Sequence, residues 1–114
     1  MRTGDKKQIE SQFQKECKKV IKEMGGYAIK IAASAYQSTG DSDLICCYKG
    51  RFTAFELKVK GNKPSALQLE RIEDIKRAGG IAKPIYSIDE IKETLYEISR
   101  IQQGDEPEWR ETLY

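Results

Sequence analysis

There is no histidine in this sequence. That removes histidine zinc ligands, a histidine general base and Ser-His-Asp catalysis. Cysteine is scarce, with three residues, an odd number. A zinc site built from cysteine alone needs a fourth thiolate. Cys46 and Cys47 are adjacent. Neighbours on a strand point to opposite faces, so a disulfide between them is not expected. Cys17 falls in a helical pattern and reads as a small buried apolar residue. All three suit a reducing compartment. No apolar run approaches the roughly 20 residues that span a bilayer. The opening residues, MRTGDKKQIE, lack the apolar core of a signal peptide. A cytoplasmic location with no membrane contact is the expectation. Charge of one sign is also missing: 20 basic and 18 acidic residues leave a net +2. That is too near neutral to argue nucleic-acid binding by itself.

What remains is the make-up of a soluble globular chain, 39% hydrophobic and 33% charged over 114 residues. One domain with one core is expected over residues 1–114, its core about 8–101 and a tail from 102 to 114. Any metal must be held by oxygen ligands, which favours Mg²⁺ or Mn²⁺.

Hydrophobic spacing predicts seven elements. Gln8 to Met24 has a helical stripe of Ile9, Phe13, Cys17, Val20 and Ile21, ended by Gly25-Gly26. Tyr27–Ala33 is a short strand, followed by a polar segment, Tyr36–Ser42. Leu44–Tyr48 and Phe52–Val59 are strands around Lys49-Gly50, a two-residue turn. Ser65 with Gln68 makes a capping box that opens a helix from about Ala66 to Ala78. Its expected stripe is Leu67 or Leu69, Ile72, Ile75 and Ala78. Ile81–Tyr86 is a last strand, which Pro84 makes an edge or irregular one. Ser87 with Glu90 caps a third helix, Ile88 to about Ile101. The order is α-β-β-β-α-β-α, an α/β fold with a mixed central sheet flanked by helices.

The informative stretch is Gly40 to Lys60. Folding the chain at Lys49-Gly50 makes paired residue numbers sum to 99, so Tyr48 faces Arg51, Cys46 faces Thr53 and Asp43 faces Glu56. Opposed residues on antiparallel strands hold their Cβ atoms roughly 4.5–5.5 Å apart. Two carboxylates that close repel unless a cation lies between them. Lys58, two residues beyond Glu56, projects on the same face. Such a set suits a divalent ion acting on a phosphodiester. Asp43 and Glu56 are the carboxylate ligands, the Leu57 carbonyl is a further ligand, and Lys58 holds the attacking water or the phosphate. The bland alternative is a surface hairpin whose acids pair with lysines.

These residues resemble a known family. Gly40-Asp41-Ser42-Asp43, a gap of thirteen to Glu56, and Glu56-Leu57-Lys58 look like the signature of the PD-(D/E)xK nucleases. The αβββαβ order is similar to that superfamily's restriction-endonuclease-like core. Within it, the chain most resembles the small VRR-Nuc group of virus-type replication-repair nucleases. Glu10 with Phe13, Ser65-Ala66-Leu67-Gln68, and Gly80 before a strand and Ser87 fit that group too. The likeness covers about residues 8–100. Ser42 replaces the proline of the signature, which shapes the backbone and does no chemistry.

The resemblance implies a Mg²⁺- or Mn²⁺-dependent endonuclease acting on branched or structured DNA in replication, recombination or repair. Cleavage of the Holliday-junction type, or nicking, falls within that class. It implies Asp43, Glu56 and Lys58 as the catalytic core. It adds Glu10 as a metal or water contact and Gln68 as an orienting group. Small members are often homodimers, and a phage origin in a host cytoplasm is suggested. Each assignment has a plainer alternative. Glu10 also reads as a first-turn acid favoured by the helix dipole, with Glu16 a substitute on another helix face. Gln68 also reads as the cap partner of Ser65. Lys60, Lys63, Lys30 and Ser65 are candidates for backbone phosphate contact, and the lysines equally suit a solvated surface. Tyr27, Tyr36 and Tyr48 suit base stacking or packing. Asp41 competes with Asp43 but lies off the hairpin register. Trp109–Tyr114 is the expected dimer contact. The competing function is a non-catalytic DNA-binding or assembly module on the same fold. A thiol redox role for Cys46-Cys47 lacks the C-x-x-C spacing.

Overall fold

The computed structural model describes the backbone of residues 3–31 and 42–102, and the side chains of residues 9–31 and 44–101. The elements follow the expected order: α1 (Thr3–Glu23), β1 (Tyr27–Ile31), β2 (Ser42–Tyr48), β3 (Arg51–Leu57), α2 (Ala66–Arg77), β4 (Ile81–Ile85) and α3 (Ile88–Gln102). The four strands form one mixed sheet in the order β1-β2-β3-β4. The first two pairings are antiparallel and the last is parallel. A parallel neighbour needs a crossover, and α2 supplies it.

The turn at Lys49-Gly50 sets the hairpin. Lys49 has φ 52° and Gly50 φ 78°. Two positive φ values in a row match the right-handed strand twist, as in a type I′ turn. From this turn the β2–β3 register runs unbroken, from Tyr48↔Arg51 to Asp43↔Glu56 and Ser42↔Leu57. The strand alternation then decides the faces. Leu44, Cys46, Tyr48 and Phe55 are buried with Cys17 and Ile21 of α1 and with Ile91, Leu95 and Ile98 of α3. Full burial of a side chain such as Phe55 or Leu44 contributes about 1.5–3 kcal/mol. On the opposite face Ala54 and Ala82 pack under Ile72 of α2 in a smaller cluster.

Four expectations need correction. The first helix begins at Thr3 instead of Gln8. Ile9, placed in its buried stripe, is 46% exposed. It sits beyond the end of the core and forms a cleft wall instead. The third strand is shorter than Phe52–Val59 and ends at Leu57. The Lys58 N–H still donates to Ile85 O at 2.9 Å, and the chain then turns, with Asn62 N–H donating to Val59 O. In α2 the buried residues are Gln68 and Ile72, while Leu67 and Leu69 are exposed. Residues 68, 72 and 75 follow the helical spacing that faces the sheet, so a polar residue occupies the place assigned to a leucine. Ala78 is the C-cap, also exposed.

Other expectations hold. Gly79, at φ 95°, donates to Lys76 O, and Gly80 to Ile75 O, closing α2 on a left-handed residue. The Gly25 and Gly26 N–H groups donate in the same way to Lys22 O and Ile21 O. Pro84 lies in the edge strand β4, in register with Glu56. At the start of α3 the Glu90 N–H donates to Ser87 Oγ, and the Glu90 carboxylate accepts from the Tyr86 N–H at 2.8 Å. Residues 32–41 and 103–114 lie outside the described residues, and with them Tyr36, Asp41 and Trp109–Tyr114.

Candidate active site

The site begins with the hairpin. Asp43 and Glu56 are Cα partners across β2 and β3. The turn at Lys49-Gly50 fixes this pairing, because a one-residue slip would turn each side chain to the other face. Glu56 is 3% exposed. A carboxylate this buried needs hydrogen-bond partners. Both come from α2. Gln68 Nε2 faces Glu56 Oε2 at 3.5 Å, and Arg71 Nη1 lies 3.0 Å from Oε1. The side chain of Asp43 is outside the described residues.

The capping box positions Gln68. Ser65 Oγ accepts from the Gln68 N–H at 3.2 Å, and Gln68 Oε1 accepts from the Ser65 N–H at 2.9 Å. The oxygen end of the amide is thereby committed to the helix start. The NH₂ end is left for Glu56. The cap and site readings of Gln68 therefore coexist in one side chain.

Lys58 follows directly and is buried. It lines a cleft of about 890 Å³ between the chain leaving β3 and the middle of α1. Gln12 and Glu16 face this cleft from α1, with Lys60 and Tyr86 beside Lys58. Gln12 Nε2 donates to Glu16 Oε1 at 3.1 Å. Tyr86 Oη donates to Asn62 O at 2.7 Å, tying the turn after β3 to the end of β4. Lys60 and Lys63 are exposed on that segment.

Glu10 is half-buried and is not among the residues lining the cleft; Glu16 is. Lys30 is exposed and pairs with Leu44. By alternation that puts it on the α1 and α3 face, away from Glu56. Leu57 is half-buried in β3, in register with Ser42 and Ile85. Tyr48 is core and Tyr27 is 70% exposed on β1. Sequence reading missed Arg71. The available signal was its place three residues after Gln68, on the same helix face.

The described ligand group here is the Glu56 carboxylate, an oxygen donor that suits a hard divalent ion such as Mg²⁺ or Mn²⁺. Among the described side chains no three His, Cys, Asp or Glu residues cluster closely enough to hold a metal. Glu56 is the described carboxylate of the hairpin pair, and Asp43 is the second by register. The thiols are placed for packing. All three cysteines are free, Cys17 and Cys46 buried and Cys47 exposed. Burial pushes the Cys17 thiol up to about 12, with nearby Glu16 adding to it. Burial likewise pushes Cys46 up to about 11, against a smaller opposing hydrogen bond with Thr53.

Residues 5–102 match the family described as archaeal Holliday junction resolvase (hjc). The chain belongs to this family. It is a nuclease family of the PD-(D/E)xK type, so the superfamily expected from Asp43, Glu56 and Lys58 is the one found. No curated protein and no solved structure gives a significant match. The mixed sheet with helices on both faces agrees with the restriction-endonuclease-like core. Among the described residues no helix is long and apolar enough to cross a membrane.

Proposed function

We propose that this chain is a divalent-metal-dependent endonuclease that hydrolyses phosphodiester bonds in branched DNA, four-way junctions foremost. The observation that carries the reading is the pairing of Asp43 with Glu56, the latter buried and gripped from α2. Family membership supports the substrate class.

Asp43, Glu56 and the Leu57 carbonyl would hold the ion, Mg²⁺ or Mn²⁺. When bound, it would polarise the phosphate and help ionise the attacking water. The chain's own residues do the rest. Gln68 fixes the direction of the Glu56 carboxylate. Lys58 offers an ammonium to the attacking water or to a phosphate oxygen, offsetting the charge that develops there. The water oxygen bonds to phosphorus while the bond to the leaving sugar oxygen breaks, and that oxygen takes up a proton. Glu10, half-buried on α1, remains a candidate contact to metal or water, and Glu16 on the cleft wall competes with it. Lys60, Lys63 and the helix start at Ser65 would meet backbone phosphates.

The narrower likeness to the VRR-Nuc group rests on Glu10, Ser65 and Gln68. Two copies of the chain would present two sites for paired incisions in a junction, which favours a homodimer. One domain acting in the cytoplasm completes the reading. A labelled panel of four-way junction, flap, single strand and plain duplex tests it, with Mg²⁺, Mn²⁺ or EDTA. Metal-dependent incision of the junction is expected. Binding without incision under every metal would point instead to a non-catalytic assembly module.

A further inference from the structure

The two partners that α2 offers Glu56 are unlike. Gln68, a neutral amide, faces Oε2, and Arg71, a cation, lies 3.0 Å from Oε1. The Glu56 side chain is 4% exposed, whereas that of Arg71 is 33% exposed. The carboxylate is thus fixed in the protein while the guanidinium stands at the boundary with solvent. The other basic residues near the end of α2 face outward: Lys76 pairs with Glu73 and Arg77 with Asp74 on the helix surface. Arg71 is set apart by reaching across to the sheet. A buried carboxylate is costly without a nearby cation. Yet a cation at that distance also opposes the arrival of a second one at the same oxygens.

We propose that Arg71 is a positioning residue that balances Glu56 in the metal-free protein and competes with the divalent ion for that carboxylate. The inference rests on reading Glu56 as a metal ligand. Gln68 holds the carboxylate's direction in both states, because its own orientation is set by Ser65. Arg71 has solvent to turn into when the ion enters. Loss of its charge therefore has two effects of opposite sign. The metal-free fold weakens, and the ion binds more tightly.

The test uses the full chain without DNA. Melting temperature is measured in EDTA, and Mn²⁺ affinity by titration calorimetry, for the parent, Arg71→Gln, Arg71→Lys, Glu56→Gln and the Glu56→Gln Arg71→Gln double variant. Arg71→Gln should melt several degrees lower in EDTA and bind Mn²⁺ about tenfold more tightly. Arg71→Lys, which keeps the charge, should stay near the parent in both. In the Glu56→Gln background, Arg71→Gln should lower the melting temperature less than in the parent, since the charge of Glu56 is gone. Mn²⁺ binding by Arg71→Gln no tighter than the parent's overturns the proposal, as does an equal loss of melting temperature in both backgrounds. If Arg71→Gln does not fold in EDTA, refolding on addition of Mn²⁺ supports the proposal and failure to refold overturns it. Parental Mn²⁺ affinity in Glu56→Gln removes the metal-ligand reading itself, an outcome distinct from the others.

Discussion

Gln68 and Glu56 meet across 3.5 Å between an amide nitrogen and a buried carboxylate oxygen, and the same amide closes the capping box of α2. One side chain thereby links the start of a helix to the middle strand of the proposed site. Gln68→Glu separates its two tasks. Glutamate serves as well as glutamine in a capping box, so the helix start survives. The new carboxylate would face Glu56 and repel it. We expect a loss of about 1–3 kcal/mol in unfolding free energy, measured in urea. An unchanged midpoint would mean that the Gln68–Glu56 contact does not matter in solution.

Ser65→Ala removes the other half of the box. A lost N-cap costs about 1 kcal/mol. The Gln68 amide keeps its bond from the backbone N–H of residue 65, so junction cleavage should stay near the parent's. A loss of cleavage beyond what the change in stability explains would show instead that the Ser65 hydroxyl itself meets the DNA.

The hairpin turn offers a gain. Lys49 is the non-glycine residue with positive φ among the described residues. Asparagine tolerates that backbone better than lysine. Lys49→Asn should stabilise the fold by about 0.5 kcal/mol, read as a higher melting temperature without change in cleavage. A lower melting temperature would show that the contact of Lys49 Nζ with the Tyr48 ring, 5.8 Å from its centroid, outweighs the backbone.

Cys17 and Cys46 set an alkaline limit. Their folded values, about 12 and about 11, stand above the unfolded value of about 9. Below pH 9 both states keep the thiol protons and the thiols' contribution is fully present. Above it the unfolded chain releases protons that the folded chain retains, so stability falls as pH rises from about 9 through about 11 and 12. Urea midpoints from pH 8 to pH 11 should fall, and less steeply in Cys46→Ala. A thiol reagent at pH 8 should label one cysteine quickly, the exposed Cys47, and the others only on unfolding. Rapid labelling of all three would contradict the burial.

The fold was legible because its signals were local. Gly25-Gly26 and Gly79-Gly80 punctuate the helices, and Lys49-Gly50 fixes the register that brings Asp43 opposite Glu56. The α2 stripe was misread because hydrophobic periodicity assumes that buried means apolar. Gln68 is buried for its hydrogen bonds, in the place that periodicity gives to Leu67 or Leu69. Arg71 was missed for a related reason. Its i+3 spacing from Gln68 puts it on the same helix face, but the ion pair depends on the distance between α2 and β3, which that spacing alone does not give. Lys30 was grouped with the site by charge alone, whereas strand alternation turns it to the other face.

The most direct measurement is junction cleavage by Glu56→Gln beside the parent, in saturating Mg²⁺ or Mn²⁺, with folding of both confirmed by circular dichroism. Gln keeps the size of the side chain and removes the charge that the site needs. Loss of cleavage by at least about a hundredfold, with the fold intact, is the predicted result. Cutting at the parental rate would place the chemistry elsewhere and contradict the assignment of the β2–β3 hairpin as the active site.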